Sequence, residues 1–437
     1  MVSVMKRHID HKLYAWKKSK PHKPLIIRGA RQVGKTYTVK AFGDKHFGNI
    51  ALIDLERNAD WRKIFEGNLS AKQIITDLEI VSGKKIEPGK TLLFIDEIQA
   101  CPRAIQSLRY FYEEMPELHV ITAGSLLEFA LKEISFPVGR IKFMQLGPLS
   151  FSEYLLARGF RDASDTILAP PKKLSSVLHE MLLKELRTYF FVGGMPEAVA
   201  AYCGSSSIQQ AFEVQTDICE TYKWDFSKYT PRADRDCLNM VMSSIAKRPG
   251  QQIKYARLGR DFSSPTLKKA FYLLCMANIV HKIPSANPAG LPLQASASDK
   301  VFKALLVDIG LLRCLSGMPV DVEYQQDSLL SIFRGGMAEQ FVGQEMLISQ
   351  NNLLYYWSRQ AKSSTAEVDY LCVDEGKIFP VEVKSGSAGS LKSLHLYIEK
   401  YKPAAFATVF SERPFAELPK QNIRFIPLYY AFSATGG

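Results

Sequence analysis

The sequence contains no long apolar run. No stretch approaches the roughly 20 apolar residues that a membrane-spanning helix requires, and the basic N-terminal segment lacks the apolar core of a secretory signal. With 27 glycines and 22 prolines in 437 residues, the chain has too little of either to indicate disorder. We therefore expect a globular, cytoplasmic protein without a membrane partner, long enough for two or three domains.

The patterns that build disulfides and zinc sites are also missing. The 7 cysteines are scattered, odd in number and never arranged as C-x-x-C, and the 8 histidines show no metal-ligand spacing. The cysteines are Cys101, Cys203, Cys219, Cys237, Cys275, Cys314 and Cys372. This usage is typical of reduced thiols in a cytosol and excludes a zinc site of the usual kind.

Acidic residues are outnumbered by basic ones. The formal net charge is +12, and the sequence pI is about 9.2. Such a balance favours polyanionic partners, nucleic acid above all. Many basic cytoplasmic proteins bind neither nucleic acid nor acidic membranes, so the charge alone predicts a partner only weakly.

The strongest functional signal is the segment PLIIRGARQVGKTYTVKAF. Its first residues form a short apolar strand, and the next fit the pattern G-x-x-x-x-G-K-[ST]. The glycines let backbone N–H groups surround a phosphate, while Lys35 reaches the β- and γ-phosphates and Thr36 offers a hydroxyl to Mg²⁺. The predicted loop for ATP or GTP consists of Gly29, Ala30, Arg31, Gln32, Val33, Gly34, Lys35 and Thr36.

Two further apolar strands support this prediction. NIALIDLE (Asn49–Glu56) is typical of a buried parallel strand, and KTLLFIDEIQ (Lys90–Gln99) is another that ends in two acids. An acidic pair in this position is the Walker B arrangement. We expect Asp96 to hold Mg²⁺ and Glu97 to polarise the attacking water. Strands that alternate with helical segments predict a parallel sheet covered on both faces.

Residues that sense the nucleotide are predicted from their places after the strands. In LHVITAGS, Ser125 follows a strand and is the candidate for contact with the γ-phosphate, with Thr122 as the alternative. Arg140 precedes a fifth expected strand, and either stabilises charge on the γ-phosphate, in its own subunit or a neighbour's, or is a surface arginine. Arg31 is a second candidate for phosphate contact.

The middle of the chain predicts helices followed by a DNA-binding motif. A helical pattern is broken at Gly193–Pro196, with Pro196 starting a second helix, and a polar linker is expected at Thr230–Asp234. The next elements follow the order of a winged helix-turn-helix. They are a helix, a turn, a short helix, a longer helix at Thr266–Met276 and a strand at Ile279–Ile283. The basic residues of this motif are Lys254, Arg257, Arg260, Lys268 and Lys269. Either this face enters a DNA groove, or the motif connects protein segments.

A charged hairpin is predicted in EVDYLCVDEGKIFPVEVKSG. A tight turn at Asp374–Lys377 places Asp369 opposite Glu382 and Glu367 opposite Lys384. Residues two apart in a strand share a face, so the four charges gather on one side. Apolar residues occupy the other side and are expected to pack inward.

The facing carboxylates of this hairpin would repel each other unless a positive charge lies between them. A Mg²⁺ ion bound by Asp369 and Glu382 removes the conflict, and Lys384 could then orient or deprotonate a water that attacks a phosphodiester. Glu339, on an upstream helix, shares a side with Val342 and Met346, and we expect it to point toward the same place. The alternative is a half-exposed hairpin whose outer face is simply charged.

The order of these motifs resembles a widespread prokaryotic family of AAA+-type ATPases that carry a C-terminal domain of unknown function. The resemblance rests on RGARQVGKT, LLFIDEIQ, ITAGSLLEFA, VGRIKFMQLGPLSFSEYL, FFVGGMPEAV and EVDYL…VEVKSG, and it covers nearly the whole chain. It implies ATP rather than GTP, a lid, a winged helix, and a C-terminal domain similar to PD-(D/E)xK nucleases. The nuclease-like residues that it implies are Glu339, Asp369, Glu382 and Lys384.

The predicted architecture is α/β and has four parts. These are a P-loop ATPase domain at 1–165, a helical lid at 166–230, a winged helix at 231–300 and a restriction-endonuclease-like α/β domain at 301–437. We expect ATP and Mg²⁺ to control the rear parts, which act on double-stranded DNA. The alternative is a non-catalytic, ATP-dependent switch that binds a protein partner or another copy of the chain.

Overall fold

Two compact units make up the chain. In a computed structural model the described residues are 5–67, 69–131, 139–229, 235–318, 335–350, 354–361, 364–385, 390–403 and 406–434. The first unit holds the described residues up to Gly147 together with Met276–Asn278, and the second holds Pro148–Cys275 and the described residues from Ile279 onward. Among all of these, no helix is both long and apolar enough to cross a bilayer.

The first unit is built on a parallel sheet. Its strands are β1 (Leu25–Arg28), β2 (Asn49–Asp54), β3 (Thr91–Asp96), β4 (His119–Gly124) and β5 (Lys142–Gln145). They lie side by side in the order β2-β3-β4-β1-β5, and each neighbouring pair is parallel. The predicted parallel sheet is therefore confirmed, and its carboxyl-terminal edge gathers the segments after β1, β3 and β4.

Helices surround this sheet and bury it. They are α1 (Ile9–Lys18), α2 (Lys35–His46), α3 (Ala71–Ser82), α4 (Pro102–Glu114) and α5 (Leu127–Ala130). Every residue of β3 and β4 is buried, which explains why both strands are nearly continuous apolar runs rather than alternating ones. The apolar face of α4 packs into the same core through Ile105 and Leu108.

Helices form the first part of the second unit, and three more lie among its later strands. Its helices are α6 (Phe151–Ala157), α7 (Arg161–Leu168), α8 (Ser176–Val192), α9 (Pro196–Ser205), α10 (Ile208–Tyr229), α11 (Arg235–Ala246), α12 (Ser264–Met276), α13 (Ile309–Ser316), α14 (Gly336–Gln350) and α15 (Lys392–Tyr401). The predicted break between α8 and α9 is confirmed, with Pro196 at the start of α9. Gly193 has a φ of 67° there, and a Cβ on it would lie 2.3 Å from Oδ1 of Asp308.

A mixed sheet completes the second unit. Its strands are β6 (Val280–Ser285), β7 (Ser298–Leu306), β8 (Tyr355–Ala361), β9 (Ser364–Asp374), β10 (Lys377–Val383), β11 (Ala407–Ser411), β12 (Ala416–Leu418) and β13 (Ile423–Pro427). The order is β12-β13-β11-β10-β9-β8-β6-β7. β6 pairs antiparallel with β7 and joins β8 in parallel at Ser285 and Tyr356. The strand pair β6–β7 and the C-terminal strands therefore share one sheet.

The predicted turn of the C-terminal hairpin is confirmed. Glu375 and Gly376 have φ angles of 46° and 74°, and positive values at both central residues define the two-residue turn that matches strand twist. Asp374 pairs with Lys377 across the turn, and the same register continues along the ladder of β9 and β10. This is the register on which the prediction of a single charged face depends.

Two of the three predicted domain boundaries fall inside a helix or a strand. The boundary after residue 165 falls within α7, and the boundary after residue 300 falls within β7. The linker predicted at Thr230–Asp234, with the boundary after residue 230, lies outside the described residues. Because β7 continues through residue 300 into the mixed sheet, the third and fourth predicted parts share a strand.

Candidate nucleotide site and acidic cluster

The glycine-rich loop connects β1 to α2. Gly34 precedes α2 with a φ of 89°, and Gln32 has a φ of 65°. These positive angles turn the backbone sharply, so that the N-terminus of α2 begins directly after the loop. Backbone N–H groups at a helix N-terminus form an anion-binding position, which suits a phosphate.

Gly29 is required by a close approach within the first unit. Its φ is 150°, and a Cβ placed on it would lie 2.0 Å from the carbonyl oxygen of Leu146. No flexible side chain is involved, since the obstructing atom belongs to the backbone. The loop can therefore take this path only with glycine at its first position.

Lys35 is the first residue of α2, and its side chain reaches back to the loop. Its side chain is buried, and its ammonium group donates hydrogen bonds to the carbonyl oxygens of Gly29 at 3.0 Å and Ala30 at 2.7 Å. Burial lowers the pKa of Lys35 to about 8, although the carboxylates of Glu97 and Asp96 oppose this shift. The loop thus holds one buried cation beside two acids.

Thr36 and Asp96 meet at the carboxyl-terminal edge of the sheet. The Thr36 hydroxyl donates a hydrogen bond of 2.6 Å to Oδ2 of Asp96, across 60 residues of sequence. Burial raises the pKa of Asp96 to about 6, and the hydrogen bond from Thr36 works against that rise. A hydroxyl and a carboxylate oxygen side by side are ligands of the kind that Mg²⁺ prefers. The predicted pair therefore fits this metal ion.

Glu97 is held by a residue that the sequence analysis did not single out. Its φ is 49°, an uncommon conformation for a residue with a side chain, and Gln99 donates a hydrogen bond of 2.5 Å to its Oε2. A Cβ on Gly124 would lie 2.2 Å from Oε1 of Gln99. The glycine that ends β4 thus leaves room for the amide that restrains Glu97. The signal was Gln99 in the segment DEIQ, two residues after Glu97.

The polar residues of β4 occupy different positions. Ser125 follows the strand at its carboxyl-terminal end and is buried, which is the edge where the P-loop also lies. Thr122 lies inside the strand, paired with Ile26 and Ile95. Its buried hydroxyl has no hydrogen-bond partner within the part of the chain that the structure describes. Ser125 is therefore the better placed of the two candidates.

The two candidate arginines differ in position. Arg31 lies in the loop, with a guanidinium nitrogen 3.8 Å from a carboxylate oxygen of Glu56. Arg140 precedes β5, whose Lys142 aligns with Leu25 at the start of β1. Because the strands are parallel, Arg140 lies at the amino-terminal edge of the sheet, opposite the P-loop. There it is half exposed, and its Nε lies 3.1 Å from Glu113.

In the second unit the structure gathers acidic residues around a lysine. Lys303 of β7 is buried, with a side chain that is 1% exposed. Its ammonium nitrogen lies 2.7 Å from Oε1 of Glu339 and 3.2 Å from Oδ1 of Asp369. It also contacts Oε1 of Glu367. We name these four residues the acidic cluster.

The charges of the acidic cluster are interdependent. Burial disfavours the ammonium of Lys303, but the carboxylates of Glu339, Asp369 and Glu367 outweigh it and raise the pKa of Lys303 well above its usual value. Burial raises the pKa of Glu339 well above the usual range, and Lys303 opposes this rise. Lys303 was not among the predicted site residues, although a single lysine inside the apolar run VFKALLV was a signal of a buried ion pair.

Glu382 and Lys384 form a separate pair. The Lys384 ammonium donates to Oε1 of Glu382 at 2.6 Å, while Oε2 of Glu382 is buried without a hydrogen-bond partner among the described residues. Burial raises the pKa of Glu382 to about 8, Asp369 adds to the rise, and Lys384 opposes it. The hairpin therefore carries two sets of charges rather than one.

The positive charge expected beside the hairpin carboxylates is a lysine ammonium in this arrangement. The expected Mg²⁺ between Asp369 and Glu382 was introduced to offset the repulsion of facing carboxylates, and the ammonium of Lys303 already supplies that positive charge. Among the described residues, no group of three or more His, Cys, Asp or Glu side chains is arranged to hold a metal ion. The arrangement brings Glu339 and Asp369 together, as predicted, but around a lysine.

The basic residues predicted for nucleic-acid contact are on the surface. They are Lys254, Arg257, Arg260, Lys268 and Lys269, and all five are exposed. Lys268 and Lys269 lie in the first half of α12, next to the strand pair β6–β7. This placement leaves the predicted basic face open to solvent.

The chain matches three domain families in succession. Residues 21–155 match the AAA domain. Residues 183–321 match a domain of unknown function, DUF8612, and residues 334–430 match another, DUF4143. The first match coincides with the parallel sheet and its P-loop, so the front of the chain is an AAA-type P-loop domain, and domains of this type bind nucleotide.

Individual proteins resemble the chain only distantly. The uncharacterized protein MJ1544 of Methanocaldococcus jannaschii is 29% identical over 196 residues, which are 44% of this chain and 39% of that protein, so the match spans less than half of either. The Walker-type ATPase PABY2304 of Pyrococcus abyssi superimposes at a TM-score of 0.45 and 15% identity, over 71% of this chain and 95% of that one. The RuvB Holliday junction branch migration motor of Thermotoga maritima gives a TM-score of 0.29 and 14% identity, over 64% and 90%. Orc1 of Aeropyrum pernix, in complex with DNA, gives 0.30 and 12%, over 73% and 94%.

Replacement of Gly29 tests the geometry of the loop. We expect Gly29→Ala to displace the loop from the Leu146 carbonyl, at a cost of about 1–3 kcal/mol, and to weaken ATP binding by about tenfold or more. Gly48→Ala is the matched control, because a Cβ there has only the carbonyl oxygen of Lys90 nearby, at 3.8 Å. Titration calorimetry with ATP and thermal unfolding measure both effects. Equal ATP affinity in the two variants would contradict the assigned constraint.

Proposed function

We propose that the chain is an ATP-binding and ATP-hydrolysing protein whose nucleotide state controls the C-terminal region, and that it acts on double-stranded DNA. The observation that carries the proposal is the meeting of Lys35, Thr36 and Asp96 at one edge of the parallel sheet, with a 2.6 Å bond between the last two. This geometry suits a nucleotide phosphate on the loop and Mg²⁺ beside it.

Each residue of this site has one role in the proposal. Lys35 contacts the β- and γ-phosphates, and the oxygens of Thr36 and Asp96 hold Mg²⁺, which offsets phosphate charge when bound. Glu97 orients the attacking water and accepts its proton. Ser125 responds to the γ-phosphate from the end of β4. Release of Glu97 from Gln99 would let the carboxylate turn toward the water.

The DNA part of the proposal is supported by the second unit. Its elements follow the order of a winged helix. They are α11, an isolated β-bridge between Ile253 and Phe302, α12, and the antiparallel strands β6 and β7. The exposed basic residues lie on and before α12, the helix expected in a DNA groove. The match to AAA domains supports the ATP part and does not reach these elements.

A second candidate function is a non-catalytic switch that binds a protein partner. The specific observation in its favour is Lys303, whose ammonium contacts two of the acidic residues that a nuclease would use for metal binding. Under this proposal the C-terminal region, for which a restriction-endonuclease-like fold is expected, serves as a binding platform. ATP would then act as a slow switch between two arrangements.

ATP turnover with and without duplex DNA separates the two functions. We expect Glu97→Gln to retain ATP binding and to lower turnover by about 100-fold, because the water loses its base. Duplex DNA is expected to stimulate the parent protein, and the double variant Lys268→Glu/Lys269→Glu to lose this stimulation. The exposed pair Lys172→Glu/Lys173→Glu makes the same charge change elsewhere and is the control. Turnover that ignores DNA in every sample would favour the protein-binding switch.

The proposed role of Arg140 in a neighbouring subunit has its own test. The variant Arg140→Ala lacks the arginine but has a complete P-loop. The variant Lys35→Ala has an inactive P-loop but keeps the arginine. Each variant alone is expected to be nearly inactive, because such an arginine contributes about 10³-fold or more. In an equal mixture, the Lys35→Ala subunits would supply Arg140 to intact loops and restore turnover well above the sum of the separate rates. An active parent protein with no restoration in the mixture would rule this role out.

A further inference from the structure

Lys303 occupies an unusual position for a lysine. It lies in β7 between Phe302 and Ala304, both buried, and its own side chain is 1% exposed. A buried ammonium is costly unless its three N–H groups find acceptors. Here each group has a carboxylate within reach, as the contacts with Glu339, Glu367 and Asp369 show.

The carboxylates of the acidic cluster come from two different elements and have partners of their own. Glu339 lies on α14, whereas Glu367 and Asp369 lie on the same face of β9. The second oxygen of Glu367 accepts a hydrogen bond of 2.6 Å from Gln252, and that of Asp369 accepts one of 2.8 Å from the backbone N–H of Val383. These bonds fix the oxygens that point at the ammonium.

A metal ion would use the same space as this ammonium. Divalent ions bind carboxylate oxygens at about 2.0–2.6 Å, and the ammonium nitrogen of Lys303 lies 2.7 Å and 3.2 Å from two of the same oxygens. Two cations at this separation from shared ligands would repel strongly in a buried site. Binding of a divalent ion therefore requires that Lys303 withdraw.

One further oxygen is available beside the cluster. Oε2 of Glu382 is buried and has no hydrogen-bond partner among the described residues, and the carboxylate interacts electrostatically with Asp369 and Lys303. A buried carboxylate oxygen without a donor is an uncommon and costly arrangement. It marks a position where a cation could gain an additional ligand.

We propose that Lys303 is an internal cation that closes the acidic cluster to divalent metal ions, and that removal of its ammonium opens a divalent-ion site formed by Glu339, Glu367 and Asp369. The strand β7, which carries Lys303, belongs to the same proposed winged helix as α12, the helix expected in a DNA groove. The inference rests on the proposed role of the C-terminal region. Its test uses no nucleotide, so that its failure and a failure of the ATPase proposal can be told apart.

Direct binding of Mn²⁺ tests this inference. All proteins carry Asp96→Asn, which removes the metal ligand of the P-loop, and are free of nucleotide. In this background we expect Lys303→Met to bind one Mn²⁺ at least about tenfold more tightly than the protein with Lys303. Addition of Asp369→Asn should abolish the new site. Titration calorimetry and the electron paramagnetic resonance signal of free Mn²⁺ measure the stoichiometry and the affinity.

Lys384→Met is the matched control. It removes the neighbouring lysine, which contacts Glu382, but leaves Lys303 within the cluster, so no Mn²⁺ site should appear. Equal Mn²⁺ binding in the protein with Lys303 and in Lys303→Met would overturn the inference, because the lysine would then exclude nothing. A folded Lys303→Met variant that binds no Mn²⁺ would also overturn it.

Loss of the buried ammonium leaves three carboxylates together, and their mutual repulsion destabilises the folded state. The variant Lys303→Met/Glu367→Gln removes one charge of each sign, and the same Mn²⁺ titration is then applied to it. Thermal unfolding gives a second measurement, since Mn²⁺ should raise the melting temperature of these variants and leave that of the Lys303 protein unchanged. Variants that stay unfolded with and without Mn²⁺ would show that the cluster accepts an ammonium but no divalent ion, and would contradict the proposal.

Discussion

A buried charge is stable only when an opposite charge or several hydrogen-bond partners lie within reach, and both candidate sites are organised by this constraint. In the first unit, Lys35 lies beside Asp96 and Glu97 at the carboxyl-terminal edge of a parallel sheet. In the second unit, Lys303 lies among three carboxylates drawn from a helix and a strand. Each site has one buried lysine, and each depends on strands that bring distant residues together.

The two sites differ in the acceptors that the lysine ammonium group contacts. The Lys35 ammonium donates to the backbone carbonyls of Gly29 and Ala30, which are neutral acceptors. An anionic phosphate would be a stronger partner for this lysine than either carbonyl. Lys303 already has three carboxylates, so an external ligand would have to break ion pairs in a buried place. The first site is therefore suited to exchange of a ligand, and the second to a stable closed arrangement.

Local patterns in the sequence were sufficient for the framework and insufficient for side-chain pairing. The loop Gly29–Thr36 and the hairpin turn at Glu375 follow from short motifs whose backbone conformation is fixed by glycine and neighbouring residues. Lys303 contacts carboxylates 36 to 66 residues away, and no periodicity shows which lysine fills the space between them. The edge position of Arg140 follows from the parallel direction of β5, which the sequence already predicted. The hydrogen bond from Gln99 to Glu97, in contrast, depends on the space beside Gly124.

The central claim is that the nucleotide bound to the first unit controls the state of the second. Hydrogen–deuterium exchange of Glu97→Gln, with Mg²⁺ and either ATP or ADP, measures this most directly, because the variant holds ATP without rapid turnover. If the nucleotide controls the second unit, the exchange of amides in α12, β7 and the hairpin β9–β10 differs between ATP and ADP. Differences confined to the P-loop and its neighbouring strands would contradict it.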